Sequence, residues 1–333
     1  MENTQAFLNA YGFIILGALL VCVNLPVLIV VIKAKKLRNQ YGILIISLIN
    51  GFLTGTVSMS HGIYRLVLST IAGDAEDIPL VQCFYNPITF FLLWTYPMNG
   101  LGLLLNSIDR LVVIAFPLSY FSYTTKFVVG TTVSAIVLNT AVAFGVIYAA
   151  IATSVEGKLV HVFCSLADVY SREIYIALAG IRILFSGLSV LLMLVVLVLF
   201  MKHQRLRMKQ AFQSKFEHSN LKGKQMKYTK TMLMSCIATI VFMIIPSAVG
   251  IVNSVFMLDT TGNITIWARF LNMLNSFNIA VLLIYRQRDI RCKLRASVNR
   301  MMRKQIFTMN EVSTTVCEKT PAGIMTTVPR RSS

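Results

Sequence analysis

The sequence predicts an all-α membrane protein: a bundle of seven transmembrane helices with a cytoplasmic amphipathic helix after the last span. Three observations carry this. Hydrophobic residues make up 56% of the 333 and charged residues only 13%, far from the balance of a soluble globular chain. The apolar residues fall into seven blocks, each near or above the roughly 20 residues that cross a bilayer. Backbone in hydrocarbon must bond to itself, so each block reads as a helix. The third observation is where the charge lies. The connections after the first, third and fifth blocks, together with the tail, hold 26 of the 31 Lys and Arg. The positive-inside rule makes that side cytoplasmic and the N-terminus external. The net charge of +18 therefore needs no nucleic acid to explain it.

On this topology residues 1–10 are a short extracellular N-terminus, 11–285 the seven-helix domain, 286–306 the amphipathic helix and 307–333 a disordered cytoplasmic tail. The first block, 11–33, has no basic leader and is followed by Lys33, Lys35, Lys36 and Arg38, which suits an uncleaved helix rather than a signal peptide. Asn24 within it, Asn50 in the second block (41–71) and Asn278 in the seventh can share one network between helices. Packing glue is the alternative, at about 0.6 kcal/mol per bond. His61 and Tyr64 read as packing or interhelical bonds. The third block, 84–108, runs into Asp109-Arg110-Leu111 and then Pro117-Leu118-Ser119-Tyr120. A carboxylate and a guanidinium there are costly unless they face protein or water, and Pro117 stops the helix from continuing unchanged.

The fourth block is 127–152. The fifth, 174–201, holds Arg182 roughly 12 Å along a helix that rises about 1.5 Å per residue. That depth is hard to solvate, and no acidic residue falls in an outer half-span to pair with it. Such a group is a functional candidate; pairing with Asp168 or Glu173 of the adjacent loop is the alternative. Residues 202–230 combine Lys and Arg with Met208, Phe212 and Phe216 at helical spacing. They predict a cytoplasmic extension of the fifth helix and a turn around Lys222-Gly223-Lys224. The sixth block, 231–258, is kinked at Pro246, which lacks a backbone donor. The seventh, 264–285, carries Arg269, shallow enough to snorkel. Ile290, Leu294, Val298 and Met302 then recur every four residues among basic ones, the pattern of a helix lying on the inner leaflet.

Asp109-Arg110-Leu111 with the Pro117–Tyr120 stretch resembles the Asp-Arg-Tyr motif and following loop of rhodopsin-like G-protein-coupled receptors, Leu111 replacing the usual Tyr. Asn24 is similar to that family's Asn in the first helix, and Pro246 falls where its sixth helix hinges. Residues 275–282 resemble its Asn-Pro-x-x-Tyr region, with Ile279 and Leu282 in place of Pro and Tyr. Ile244 stands where an aromatic is usual; the fourth block lacks the family's Trp and the fifth its Pro. This eroded pattern looks like the large nematode serpentine chemoreceptor families. The resemblance implies a plasma-membrane receptor that couples to a heterotrimeric G protein through Asp109, Arg110, Pro117 and Tyr120. It implies a small organic ligand between helices three, five, six and seven, against Trp94, Tyr96, Asn99, Arg182, Asn253, Arg269 and Asn272. Arg182, with Arg269, would receive an acidic or polar-anionic ligand.

Cys83 and Cys164 both fall on the oxidising side, where a disulfide is permitted. The pair resembles the bridge from the second extracellular loop to helix three in these receptors; two free thiols are the alternative. The Cys83–Arg110 interval is longer than in that family, so the third helix starts later or contains a bulge. Asn263-Ile264-Thr265 is a glycosylation sequon in an outside connection, and Cys292 is a palmitoylation candidate. A chance triplet and an unmodified thiol are the respective alternatives.

No acid lies in the outer half of helix three, unlike in amine receptors, and no Lys lies in 264–285 for a retinal Schiff base. The sequence has no His/Cys cluster at metal spacing, no phosphate loop and no nucleophile–base pair. No enzyme activity and no cofactor are expected. The expected partners are a G protein, a small ligand and the bilayer. Three other readings stay open: a neuropeptide receptor of the same fold, a transporter or ion-channel subunit, and a receptor fold that no longer signals, given the missing switch residues. Transporters often show two related halves and broken helices, which are not visible here. Seven-span odorant channels place the N-terminus inside, opposite to this charge pattern.

Overall fold

The structure, a computed structural model, describes residues 2–33, 42–71, 77–153, 159–162, 164, 169–210, 233–256, 263–286, 290–296 and 299. Its long helices are α1 (Glu2–Lys33), α2 (Gly42–Ile71), α3 (Pro87–Ala115), α4 (Pro117–Thr153), α5 (Arg172–Gln210), α6 (Leu233–Phe256) and α7 (Asn263–Arg286). Six of them, α1 to α6, are long and apolar enough to cross a bilayer. The protein is therefore a multi-pass, all-α membrane protein. The predicted seventh block forms the 24-residue α7. Side chains such as Val137, Phe144 and Tyr148 of α4 and Leu184, Leu191 and Val198 of α5 are exposed. An apolar stripe of that extent is costly in water and matched by lipid.

The chain divides into residues 1–282 and 283–333. In the second unit the predicted amphipathic segment is helical over 290–296, with Ile290 buried and Cys292 half-buried. Residues 300–333 lie outside the described set, as do 211–232 with the Lys222–Lys224 turn. In the first unit, the helix begins at Glu2, so most of the predicted N-terminal extension is helical.

Close approach of α1 and α2 depends on glycine. A Cβ on Gly17 would stand 2.6 Å from the Gly55 carbonyl oxygen, and one on Gly55 2.9 Å from that of Gly17. Small residues let two backbones meet where lipid supplies no hydrophobic drive between helices.

The start of α3 explains the long Cys83–Arg110 interval. Cys83 sits not on α3 but on a separate short helix, Leu80–Tyr85. Asn86 then caps α3, its side chain accepting from the Ile88 N–H at 3.0 Å, with Pro87 in the first helical position, both favoured there. The later start is thus the correct alternative. Cys83 and Cys164 form a disulfide, with Cα atoms 5.5 Å apart. Just before these cysteines, β1 (Asp77–Pro79) and β2 (Leu159–His161) pair antiparallel. Leu80, Leu93, Ala143, Val160, Tyr170 and Leu178 pack around the bridge, and burial pushes the Tyr170 phenol pKa up.

Two expectations need correction. Pro117–Tyr120 is not a loop: Pro117 opens α4 directly after Phe116, which caps α3. A first helical turn leaves its N–H groups unpaired anyway, so proline fits at its start. Nor is the sixth helix simply kinked. Ile240–Ile244 form a π-turn, and the Ile245 N–H bonds the Ile240 carbonyl. Pro246 cannot donate to the preceding turn and its ring crowds it; a widened turn accommodates both effects.

Candidate functional site

Five helices line one cavity, three of them with several side chains at helical spacing. From α2 come Thr54, Ser58 and His61, and from α3 come Leu92, Thr95, Tyr96 and Asn99. Arg269, Asn272 and Met273 come from α7, while α5 adds Arg182 and α1 adds Phe13. Intervals of three and four residues keep each set on one helix face. The cavity encloses about 50 Å³, room for several waters at the ~10–15 Å³ each needs. It lies in the first halves of α3 and α5, toward the end that carries the disulfide.

Arg182 is the most constrained group in the wall. Only 2% of it is exposed. Its Nη2 donates to Ser247 Oγ at 2.5 Å, and its guanidinium carbon stands 3.7 Å from the centroid of the Tyr96 ring. That distance is a cation–π contact, strengthened where water is excluded. Its Nε is buried with no partner, and so is that of half-buried Arg269. Among the described residues no carboxylate lines the cavity. Glu173, offered as a partner for Arg182, is exposed in the first turn of α5; Asp168 lies outside the described set.

Ser247 links this wall to α6. Its hydroxyl bonds the Met243 carbonyl inside the π-turn at 2.5 Å and faces Asn272 Oδ1 at 3.4 Å. Toward the midplane, Asn99 Oδ1 accepts from Asn50 Nδ2 at 2.7 Å and from Ser276 Oγ at 3.3 Å. The single network expected of Asn24, Asn50 and Asn278 does not form. Asn24 donates to Leu20 of its own helix, and the Asn278 side-chain nitrogen is buried without a partner.

Of the residues expected to line a ligand site, the structure brings together Tyr96, Asn99, Arg182, Arg269 and Asn272. Trp94 faces elsewhere: its indole N–H donates to Thr140 of α4 at 3.2 Å, and its carbonyl accepts from Asn139 at 2.8 Å. Asn253 is buried on α6 but outside the cavity wall, and Trp267 is 67% exposed, as a belt residue would be. The cavity is therefore lined from α1 and α2 rather than from α6. The α1 and α2 wall was not expected, although Thr54, Ser58 and His61 form a visible polar stripe.

At the other end of α3, Asp109 is buried and Arg110 half-buried. Two residues before Asp109, Ser107 and Ser189 share a hydrogen bond of 2.8 Å between α3 and α5. Pro117 and Tyr120 sit in the first turn of α4, their side chains outside the described set, as is that of Asn263 at the start of α7. Among the described residues no group of three His, Cys, Asp or Glu is placed to hold a metal. No protein-family model matches the chain, and no curated protein matches it.

Proposed function

We propose that the protein is a seven-helix receptor of the plasma membrane, chemosensory in role, with its N-terminus outside. It binds a small organic ligand in the cavity and activates a heterotrimeric G protein through the face that holds Asp109 and Arg110. At 24 residues, α7 is about 36 Å long, enough to serve as the seventh span across a core of about 30 Å. The positive-inside charge pattern gives the orientation, and it puts the Cys83–Cys164 bridge on the oxidising side.

The observation that carries the reading is the contact of Arg182 with Ser247. It joins a cavity wall to the one place where α6 departs from α-helical bonding. A ligand that draws the guanidinium toward itself releases Ser247 and alters the bonding of the π-turn, whose Met243 carbonyl accepts from that hydroxyl. The part of α6 beyond the turn then moves relative to α3, next to Arg110. A transporter or channel needs a continuous path instead, and this cavity is small and walled at its midplane by the Asn50–Asn99–Ser276 bonds.

The test is a ligand-panel screen on cells expressing the full chain, with a G-protein-dependent readout. A ligand response lost both on G-protein blockade and in Arg110→Ala is expected. A response that survives both assigns the chain to a channel or transporter.

A further inference from the structure

We infer that the cavity binds a short-chain carboxylate, held between Arg182 and Arg269 with Ser58 as a further donor. Its physiological meaning rests on the receptor reading, but its binding does not. Arg182 and Arg269 converge on one cavity from α5 and α7, and among the described residues no carboxylate lines it. Guanidinium groups stay charged. Two like charges held together in a membrane are unfavourable unless an anion joins them. Tyr96 and Ser247 offset part of the cost for Arg182, yet the Nε atoms of both arginines are buried without a partner.

Ser58 adds an independent observation. It is fully buried, its Oγ has no partner, and it lines the same cavity from α2. Three residues of one cavity wall thus each carry a buried polar atom without a partner. A carboxylate supplies acceptors only, two oxygens with about four lone-pair sites, and matches the planar guanidinium fork.

Size and polarity narrow the class. At the ~10–15 Å³ that one water needs, the 50 Å³ here holds roughly three to five non-hydrogen atoms, so the carboxylate bears about three carbons at most. Phe13, Leu92 and Met273 complete the wall, giving the alkyl part apolar contacts that chloride cannot use.

The test uses the full-length protein purified in detergent and its thermal unfolding midpoint, titrated with sodium propionate against equal sodium chloride and propionamide. A saturable rise with propionate alone is expected. Arg269→Gln should weaken the apparent affinity about tenfold or more, as loss of a charge-assisted hydrogen bond does. Ser58→Ala provides a second variant, expected to weaken it severalfold, should the first not fold. No rise with propionate, an equal rise with chloride, or unchanged affinity in a folded variant overturns the inference. The two proposals fail separately. Propionate binding without any G-protein response leaves the site standing and removes the receptor reading. A G-protein response to other ligands without carboxylate binding does the reverse.

Discussion

Replacing Ser247 with Ala removes one oxygen that serves two helices. In the folded protein this hydroxyl accepts from Arg182 Nη2 at 2.5 Å and bonds the Met243 carbonyl at 2.5 Å. A hydrogen bond to a charged group contributes about 1.5–3 kcal/mol in soluble proteins. Hydrogen bonds between membrane helices average nearer 0.6 kcal/mol, because the unfolded chain in lipid finds other partners. Arg182 has few alternatives, with a buried Nε already unpartnered. The expected loss is therefore about 1–2 kcal/mol, roughly 5- to 30-fold in the folding equilibrium. Reversible unfolding of the purified protein in mixed detergent measures that loss. Amide hydrogen exchange across α6 locates it, with faster exchange expected over 240–250. Ser247→Thr keeps the hydroxyl and should restore most of the stability, which separates hydrogen bonding from packing. If Ser247→Ala is as stable as the parent and exchange in α6 is unchanged, Ser247 does not anchor Arg182 to the π-turn. The proposed route from cavity to hinge then fails with it.

Gly55→Leu should disrupt the α1–α2 contact, since even a Cβ there meets Leu20 and the Gly17 carbonyl within 2.9 Å. Overpacking of this kind costs about 1–3 kcal/mol, while Gly145→Leu, with nothing within 4 Å, should behave as the parent in size-exclusion and thermal melts. Cys83→Ser removes a bridge between residues 81 apart in sequence. The chain-entropy account puts the loss at about 4–5 kcal/mol, to be read as a lower melting temperature that the parent reproduces on reduction. Trp94→Phe loses the 3.2 Å bond to Thr140 and should cost about 0.6 kcal/mol. It should leave ligand affinity unchanged in a binding titration, because that side chain faces α4.

The spans were legible in the chain because lipid leaves a backbone few options, but not all their ends were: α1 begins at Glu2 and α4 at Pro117, well before their apolar blocks. A run without water must close its own hydrogen bonds, so composition alone reveals it. Which way each helix faces depends on rotation, and helical spacing constrains that rotation. Trp94 and Tyr96 are two positions apart, about 200° around a helix with 3.6 residues per turn. They could not both line one cavity, whereas Tyr96 and Asn99, three apart, could. The structure makes the same division, sending Trp94 to Thr140 and the other two to the cavity. The same spacing rule picks out Thr54, Ser58 and His61, but a polar stripe on α2 has equal use as interhelical glue, so periodicity could not assign it. Pro246 announced a break without its kind, since a kink and a π-turn both accommodate the missing donor.

Arg182 shows where sequence reasoning stops for a physical reason. Its depth in an apolar run marks it as costly, which is legible from spacing alone. Its compensation is not, because a buried guanidinium can be met by a carboxylate, an aromatic face or a hydroxyl, and only three-dimensional placement chooses. Here the choice is Tyr96 and Ser247, both neutral. A carboxylate partner would have neutralised the charge and left the cavity indifferent to anions. Neutral partners hold the guanidinium in place without cancelling it, so its field still reaches into the cavity, where the second guanidinium, Arg269, adds to it. The same substitution of partner ties the charge to α6, since Ser247 follows Pro246 directly and bonds within the π-turn. A residue anchored by a stronger acid would be too tightly held to respond to a weak ligand. One anchored by a single hydroxyl can be redirected by an anion that offers a better acceptor.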